Sequence, residues 1–149
     1  MEESINKTSL ISQLHREFGA CEVDIRTYSP LTFAYIGDAV FEIIIRTLIV
    51  ERGQRAANTL HKHTTRLVCA KTQAKMAEAL YDLMDEKEKD IYRRAKNTKL
   101  NSSAKNASLS DYRKATGFEA ICGWLFLTDN VSRITELVKK ALDILEIEV

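Results

Sequence analysis

Two carboxylates stand out by their surroundings. Asp38 lies in the run Leu31–Val50, where Leu31, Phe33, Ile36, Val40, Ile43, Ile44, Leu48 and Ile49 are interrupted by only three charged residues, Asp38, Glu42 and Arg46. Glu119 is set among Phe118, Ile121, Cys122, Leu125 and Phe126. A helix apolar on nearly every face reads as a buried one, and burying a lone carboxylate costs several kcal/mol unless it is paired, hydrogen-bonded or metal-bound. The economical account is that the two acids meet. Two carboxylates brought together cannot both stay ionised unless a cation joins them. Oxygen ligands favour a hard ion such as Mg²⁺, which keeps most of its waters and is often held by one or two carboxylates plus a substrate phosphate. Glu42, one helical turn beyond Asp38, is a lesser candidate.

The charge distribution suggests what such a site acts on. The 22 basic and 21 acidic residues nearly cancel, but they are sorted along the chain. From Arg93 to Lys114 there are seven basic residues against one acid, Asp111, whereas from Asp129 onward acids outnumber bases five to three. Between Asn97 and Ser110 helical periodicity gives way to Asn, Ser, Lys and Ala, and a loop that long inside a compact domain is usually functional or disordered. Beside paired acids, a basic, asparagine-rich loop predicts phosphodiester chemistry on a nucleic acid. Arg94, Lys96, Asn97, Lys99, Lys105, Asn106 and Arg113 are the contact candidates, with Lys62 and Thr65 as a second strip.

The elements that must position these residues are helical. Five Gly and one Pro are few for a chain that turns often, and Ala, Leu, Ile, Lys and Glu dominate, so the fold class is all-α, in one domain. Residues 1–28 read as an N-terminal arm or short helix, in which Ile11, Leu14 and Phe18 keep helical spacing, and 29–149 as the catalytic domain. Ser29-Pro30 reads as N-cap and first helical residue, and Gly53 as the stop of a central helix of roughly 22 residues. Asn58 is the expected cap of a short segment through His63. Further helices are expected over about 65–84, 85–96, 111–127 and 130–148, that over 85–96 ordered with acids first and bases last as the helix dipole favours.

The segment Tyr35-Ile36-Gly37-Asp38-Ala39-Val40 resembles the signature helix of the ribonuclease III family, and Thr116-Gly117-Phe118-Glu119-Ala120-Ile121-Cys122-Gly123 resembles its second catalytic segment. Leu60-His61-Lys62, Cys69-Ala70-Lys71-Thr72-Gln73-Ala74, Arg94-Ala95-Lys96-Asn97, Lys105-Asn106 and Tyr112-Arg113 follow in the order of the Mini-ribonuclease III branch, whose members are a catalytic domain with no double-stranded-RNA-binding domain. The resemblance covers about residues 30 to 140. It implies the helical endonuclease-domain fold, Asp38 and Glu119 as Mg²⁺ ligands, and hydrolysis of double-stranded RNA to 5′-phosphate and 3′-hydroxyl ends. It also implies a homodimer whose two sites cut opposite strands, and a role in trimming the large-subunit (23S) ribosomal RNA precursor. Full-length ribonuclease III has two further acids per site; their positions here are Ala34 and Thr116, a reduction the Mini branch shares. Those missing acids make a non-catalytic RNA-binding protein of the same fold the alternative.

Other signals are weaker. His61 and His63, two residues apart, point to different faces of a helix and do not form a zinc pair. Three cysteines at wide spacing and an N-terminus without a basic start or apolar core argue against a secreted, disulfide-bearing protein. The charges within 31–50 argue against a membrane span. The expected setting is cytoplasmic.

Overall fold

The structure, a computed structural model, describes residues 9–98 and 108–149. Lys99, Lys105 and Asn106 lie outside the described residues. Those described form seven α-helices and no strand: α1 Leu10–Phe18, α2 Pro30–Glu51, α3 Ala57–Val68, α4 Ala70–Leu80, α5 Glu86–Lys96, α6 Leu109–Leu127 and α7 Val131–Ile144, with single 3₁₀ turns at Ile25–Thr27 and Tyr81–Leu83. The all-α expectation holds.

Ser29 caps α2 as its sequence implies, its hydroxyl oxygen accepting from the Leu31 N–H at 3.2 Å ahead of the 22-residue helix. The central helix, however, is α6. It packs against α2, α4, α5 and α7, and its buried residues run from Ala115 through Leu125. In this single chain α2 buries only one side, through Phe33, Val40, Phe41, Ile45 and Ile49, while Tyr35, Ile43 and Val50 are more than half exposed. Asp38 lies on that open side. The expectation of a helix buried all round is therefore corrected: the sequence marks α2 as apolar on two faces, and the core of one chain covers one of them.

Helices α2 and α6 meet backbone to backbone. A Cβ on Gly37 would stand 1.7 Å from the carbonyl oxygen of Glu119, and one on Gly123 would stand 1.9 Å from that of Phe33. Any side chain at either position would force the helices apart. Below this contact the rings of Phe41 and Phe118 pack edge to face at 5.1 Å. The Gly37 contact thus joins the residue next to one candidate acid, Asp38, to the backbone of the other, Glu119.

Two boundaries differ from the sequence reading. The helices expected over 58–63 and 65–84 are instead α3 and α4, meeting at a corner where Cys69 is extended (ψ 158°), and Ala56 rather than Asn58 stands at the N-cap of α3. No Gly or Pro marks the break. Side chains make it: Thr72 Oγ1 donates to the Arg66 carbonyl and Gln73 Nε2 to the Val68 carbonyl, both at 2.8 Å, satisfying acceptors that the end of α3 leaves open. Helix α7 stops at Ile144 because Glu146 takes φ 55°, and Glu146 N–H and Ile147 N–H return to the Asp143 and Leu142 carbonyls. That is the usual helix-ending motif, built here without its glycine.

Candidate active site

The Gly37 contact sets Asp38, the next residue on α2, across from Glu119 on α6, and the two carboxylates come within hydrogen-bonding reach. They line one open groove together with Leu31, Ala34, Tyr35, Glu42, Tyr112 and Thr116. The acids expected to meet do meet, with one change of role. Asp38 is the exposed member and Glu119 the partly buried one. Burial, then the Asp38 charge and its hydrogen bond, push the Glu119 carboxyl up to about 8; only a hydrogen bond from Gln73 opposes them. Among the described residues no base pairs with either acid: Arg46, two turns beyond Asp38, is bound to Glu42 at 2.6 Å, and Lys114, five residues before Glu119, to Glu78 at 2.5 Å.

The donor set suits a hard divalent cation. The carboxylates of Asp38 and Glu119 line a solvent-open groove whose other polar side chains also offer only oxygen, and the described residues hold no cluster of three His, Cys, Asp or Glu side chains that would enclose a softer ion. Ala34 offers no ligand atom, and Thr116 offers only a neutral hydroxyl, which donates its hydrogen to the Tyr112 carbonyl at 2.9 Å. A cation held here by two carboxylates keeps open positions for water and for a phosphate oxygen.

The basic candidates divide into two groups. Lys96 and Asn97 end α5, with Lys96 Nζ 5.8 Å from the centroid of the Tyr92 ring, and Arg113 is exposed in the first turns of α6. Arg94 is tied to Asp90 at 3.6 Å, which spends part of its charge within the helix. On α3, Lys62 and Thr65 are exposed, the Thr65 hydroxyl donating to the His61 carbonyl at 2.9 Å. Lys62 shares a groove with Arg55, Thr59, His63 and Arg66 that no acid lines. Loss of hydration, and then Arg66 and Arg55, hold His63 below its ordinary value. The sequence reading passed over Arg55, Thr59 and Arg66, although the four-residue spacing of Lys62 and Arg66 puts them on one helix face. Gln73, present in one of the resembling segments but given no role there, has its Nε2 3.4 Å from Glu119 Oε2.

Residues 31–130 match the family model described as the Ribonuclease III domain. The Mini-ribonuclease 3 of Thermoanaerobacter sp. (strain X514) is 42% identical over 122 residues, 82% of this chain and 86% of that protein. The Mini-ribonuclease 3 of Clostridium tetani (strain Massachusetts / E88) is 42% identical over 124 residues, 83% of this chain and 82% of that protein. A protein of Fusobacterium nucleatum, solved by X-ray crystallography, superimposes with a TM-score of 0.73 at 33% identity, covering 80% of this chain and 91% of that one. Among the described residues no helix is long and apolar enough to cross a membrane.

Proposed function

The chain belongs to the ribonuclease III family and is an endoribonuclease, and on that premise we propose that it hydrolyses double-stranded RNA with Mg²⁺ held between Asp38 and Glu119. The observation that carries the reading is the pair itself: two carboxylates in contact, without a neutralising base, in a groove open to a phosphate. A structural acid pair has no reason to face solvent and a polyanion with nothing to balance it. Bound there, Mg²⁺ would supply charge neutralisation at phosphorus and lower the pKa of a coordinated water.

Asp38 and Glu119 anchor and orient that ion. In the reaction a water oxygen bonds to phosphorus as the bond from phosphorus to the 3′ oxygen breaks. The proton lost by water goes to solvent, the 3′ oxygen takes one up, and the products are 5′-phosphate and 3′-hydroxyl ends. Duplex RNA is read through shape, phosphates and 2′-hydroxyls rather than base edges. Lys62, Thr65 and Arg66 on α3, with Arg55 just before it, form one phosphate-binding strip. Lys96, Asn97 and Arg113, with Arg94, form another, and Lys99, Lys105 and Asn106 are proposed from the sequence as further phosphate contacts.

The open face of α2 supports the expected homodimer. Leu10, Ile36, Ala39, Val40, Ile43, Ile44, Phe126 and Val131 line one continuous apolar groove along it, a surface that pairs naturally with its own copy and sets two sites for opposite strands. The proposed substrate is the large-subunit (23S) ribosomal RNA precursor, in the cytoplasm.

The test is cleavage of a long perfect duplex and of a structured ribosomal RNA precursor, with Mg²⁺ or with chelator, by the natural chain and by Asp38→Asn and Glu119→Gln. Mg²⁺-dependent cuts that vanish in both folded variants, with duplex binding retained in a shift assay, are the expected result. Cuts that survive either substitution would overturn the site. Binding without any cuts would move the reading to a non-catalytic RNA-binding protein.

A further inference from the structure

Gln73 is 2% exposed, on α4, one turn past the Cys69 corner. Its Nε2 lies 2.8 Å from the Val68 carbonyl oxygen and 3.4 Å from Glu119 Oε2. Both neighbours are acceptors, so the amide has one possible orientation; reversed, its oxygen would face both. The orientation leaves Oε1 buried with no hydrogen-bond partner, the one such side-chain atom among the described residues. A buried amide with an orphaned acceptor is a burden on the fold. Closing the corner accounts for one of its two hydrogens: Thr72 caps the Arg66 carbonyl and Gln73 caps the Val68 carbonyl of the same turn. The corner leaves the other hydrogen unexplained, and the amide nitrogen that carries it faces one oxygen of Glu119.

We propose that Gln73 is a positioning residue, which pins Glu119 Oε2 so that the carboxylate presents its remaining oxygen beside Asp38 to a divalent cation. The proposal rests on the reading of Asp38 and Glu119 as a cation site. The length of the Gln73 contact fits a bond that tightens once the ion draws the carboxylate into place, since hydrogen bonds of this kind are often long before loading. In the larger family further carboxylates share the task of holding the cation. Here Ala34 and Thr116 contribute none, so the orientation of a single glutamate carries more of it. Supporting partners of metal ligands typically change metal affinity or activity by about 10–100-fold when removed.

The experiment measures Mn²⁺ binding by electron paramagnetic resonance, without RNA, for the natural chain, Gln73→Met, Thr72→Val and Glu119→Gln. Thr72→Val loosens the same corner but does not touch Glu119. Gln73→Met should weaken Mn²⁺ binding by about tenfold or more while Thr72→Val leaves it within twofold, and the Mg²⁺ concentration for half-maximal cleavage should rise in parallel. Unchanged Mn²⁺ affinity in Gln73→Met, or equal weakening by Thr72→Val, overturns the proposal and leaves Gln73 a corner cap. If Glu119→Gln itself binds Mn²⁺ normally, the cation site is wrong, which is a separate failure. Should Gln73→Met not fold, the side-chain amide of Gln73 in the natural chain gives the answer by ¹H–¹⁵N NMR. Its two N–H signals should shift with the same midpoint as Mg²⁺ binding, and signals indifferent to saturating Mg²⁺ would refute the role.

Discussion

Glu88 and Glu119 each carry a carboxylate into the packing between helices, and the protein treats the two oppositely. Glu88, 1% exposed, is fully answered. Its Oε1 accepts from the Asp85 N–H at 2.9 Å and from Arg133 Nη2 at 2.8 Å, and its Oε2 accepts from Arg133 Nε at 2.8 Å. Arg133 is held in turn by the Leu83 carbonyl and by Glu136. Glu119 has one long bond from an amide and a second acid for a neighbour. A fold can satisfy a buried acid when that is all it needs to do; Glu119 is left short of positive charge at the mouth of a groove. The difference separates an acid that the fold fully satisfies from one that it leaves available to a cation.

The comparison breaks most visibly at Arg133. Replacing it with methionine strands Glu88 as a buried charge with a single donor left, and removing one partner of a buried ion pair costs about 3–5 kcal/mol. Urea unfolding at pH 7 should show that loss, with Mn²⁺ affinity per folded molecule unchanged. A loss below about 1 kcal/mol, the range of an exposed pair, would mean that Glu88 is not held as described.

The same operation on the other acid should have the opposite sign. In the metal-free protein Glu119 titrates near 8 against an ordinary value of 4.5. Between those values the unfolded chain gives up a proton that the folded chain keeps, so stability contributed by the protonated form is complete below about pH 4.5 and is lost as pH rises to about 8. Glu119→Gln stays neutral throughout and escapes that loss. In chelator it should match the natural protein at pH 4.5 and exceed it at pH 8 by on the order of a few kcal/mol. Saturating Mg²⁺ should reverse the order, because only the natural chain then gains from binding. A stability difference independent of pH would show that Glu119 is not under the strain inferred for it.

How far the sequence discloses these arrangements depends on what kind of signal each leaves. Asp38 and Glu119 are legible because an acid inside an apolar helix is conspicuous, and the glycines flanking them because the segments resemble a known family. The exposure of Asp38 is not legible: hydrophobicity reports that the outer face of α2 seeks cover, not that the core of this chain leaves it open. Glu88 sits in the first turn of α5, where acids are expected for the dipole alone, so nothing sets it apart until Arg133 arrives from 45 residues away. Gln73 is hidden for a similar reason, since an amide becomes informative only once its neighbours are known. The corner at Cys69 is formed by side-chain capping rather than by a breaker residue, and the end of α7 by an ordinary glutamate at positive φ.

The smallest expected effect sharpens the comparison most. Asp85 caps α5 by accepting from the Glu88 N–H at 2.8 Å, and loss of such a cap costs about 1 kcal/mol. Asp85→Ala removes that bond, yet Glu88 keeps all three of its own, because the donor Asp85 gives it is main-chain N–H, which alanine retains. The variant should therefore lose about 1 kcal/mol in urea unfolding and exchange its first α5 amides faster, with cleavage unaltered. If it loses as much as Arg133→Met, the helix cap and not the arginine is what places the Glu88 carboxylate. Glu88 would then depend on one neighbour for its orientation, as is proposed for Glu119 and Gln73, and redundancy of support would no longer distinguish the structural acid from the proposed cation ligand.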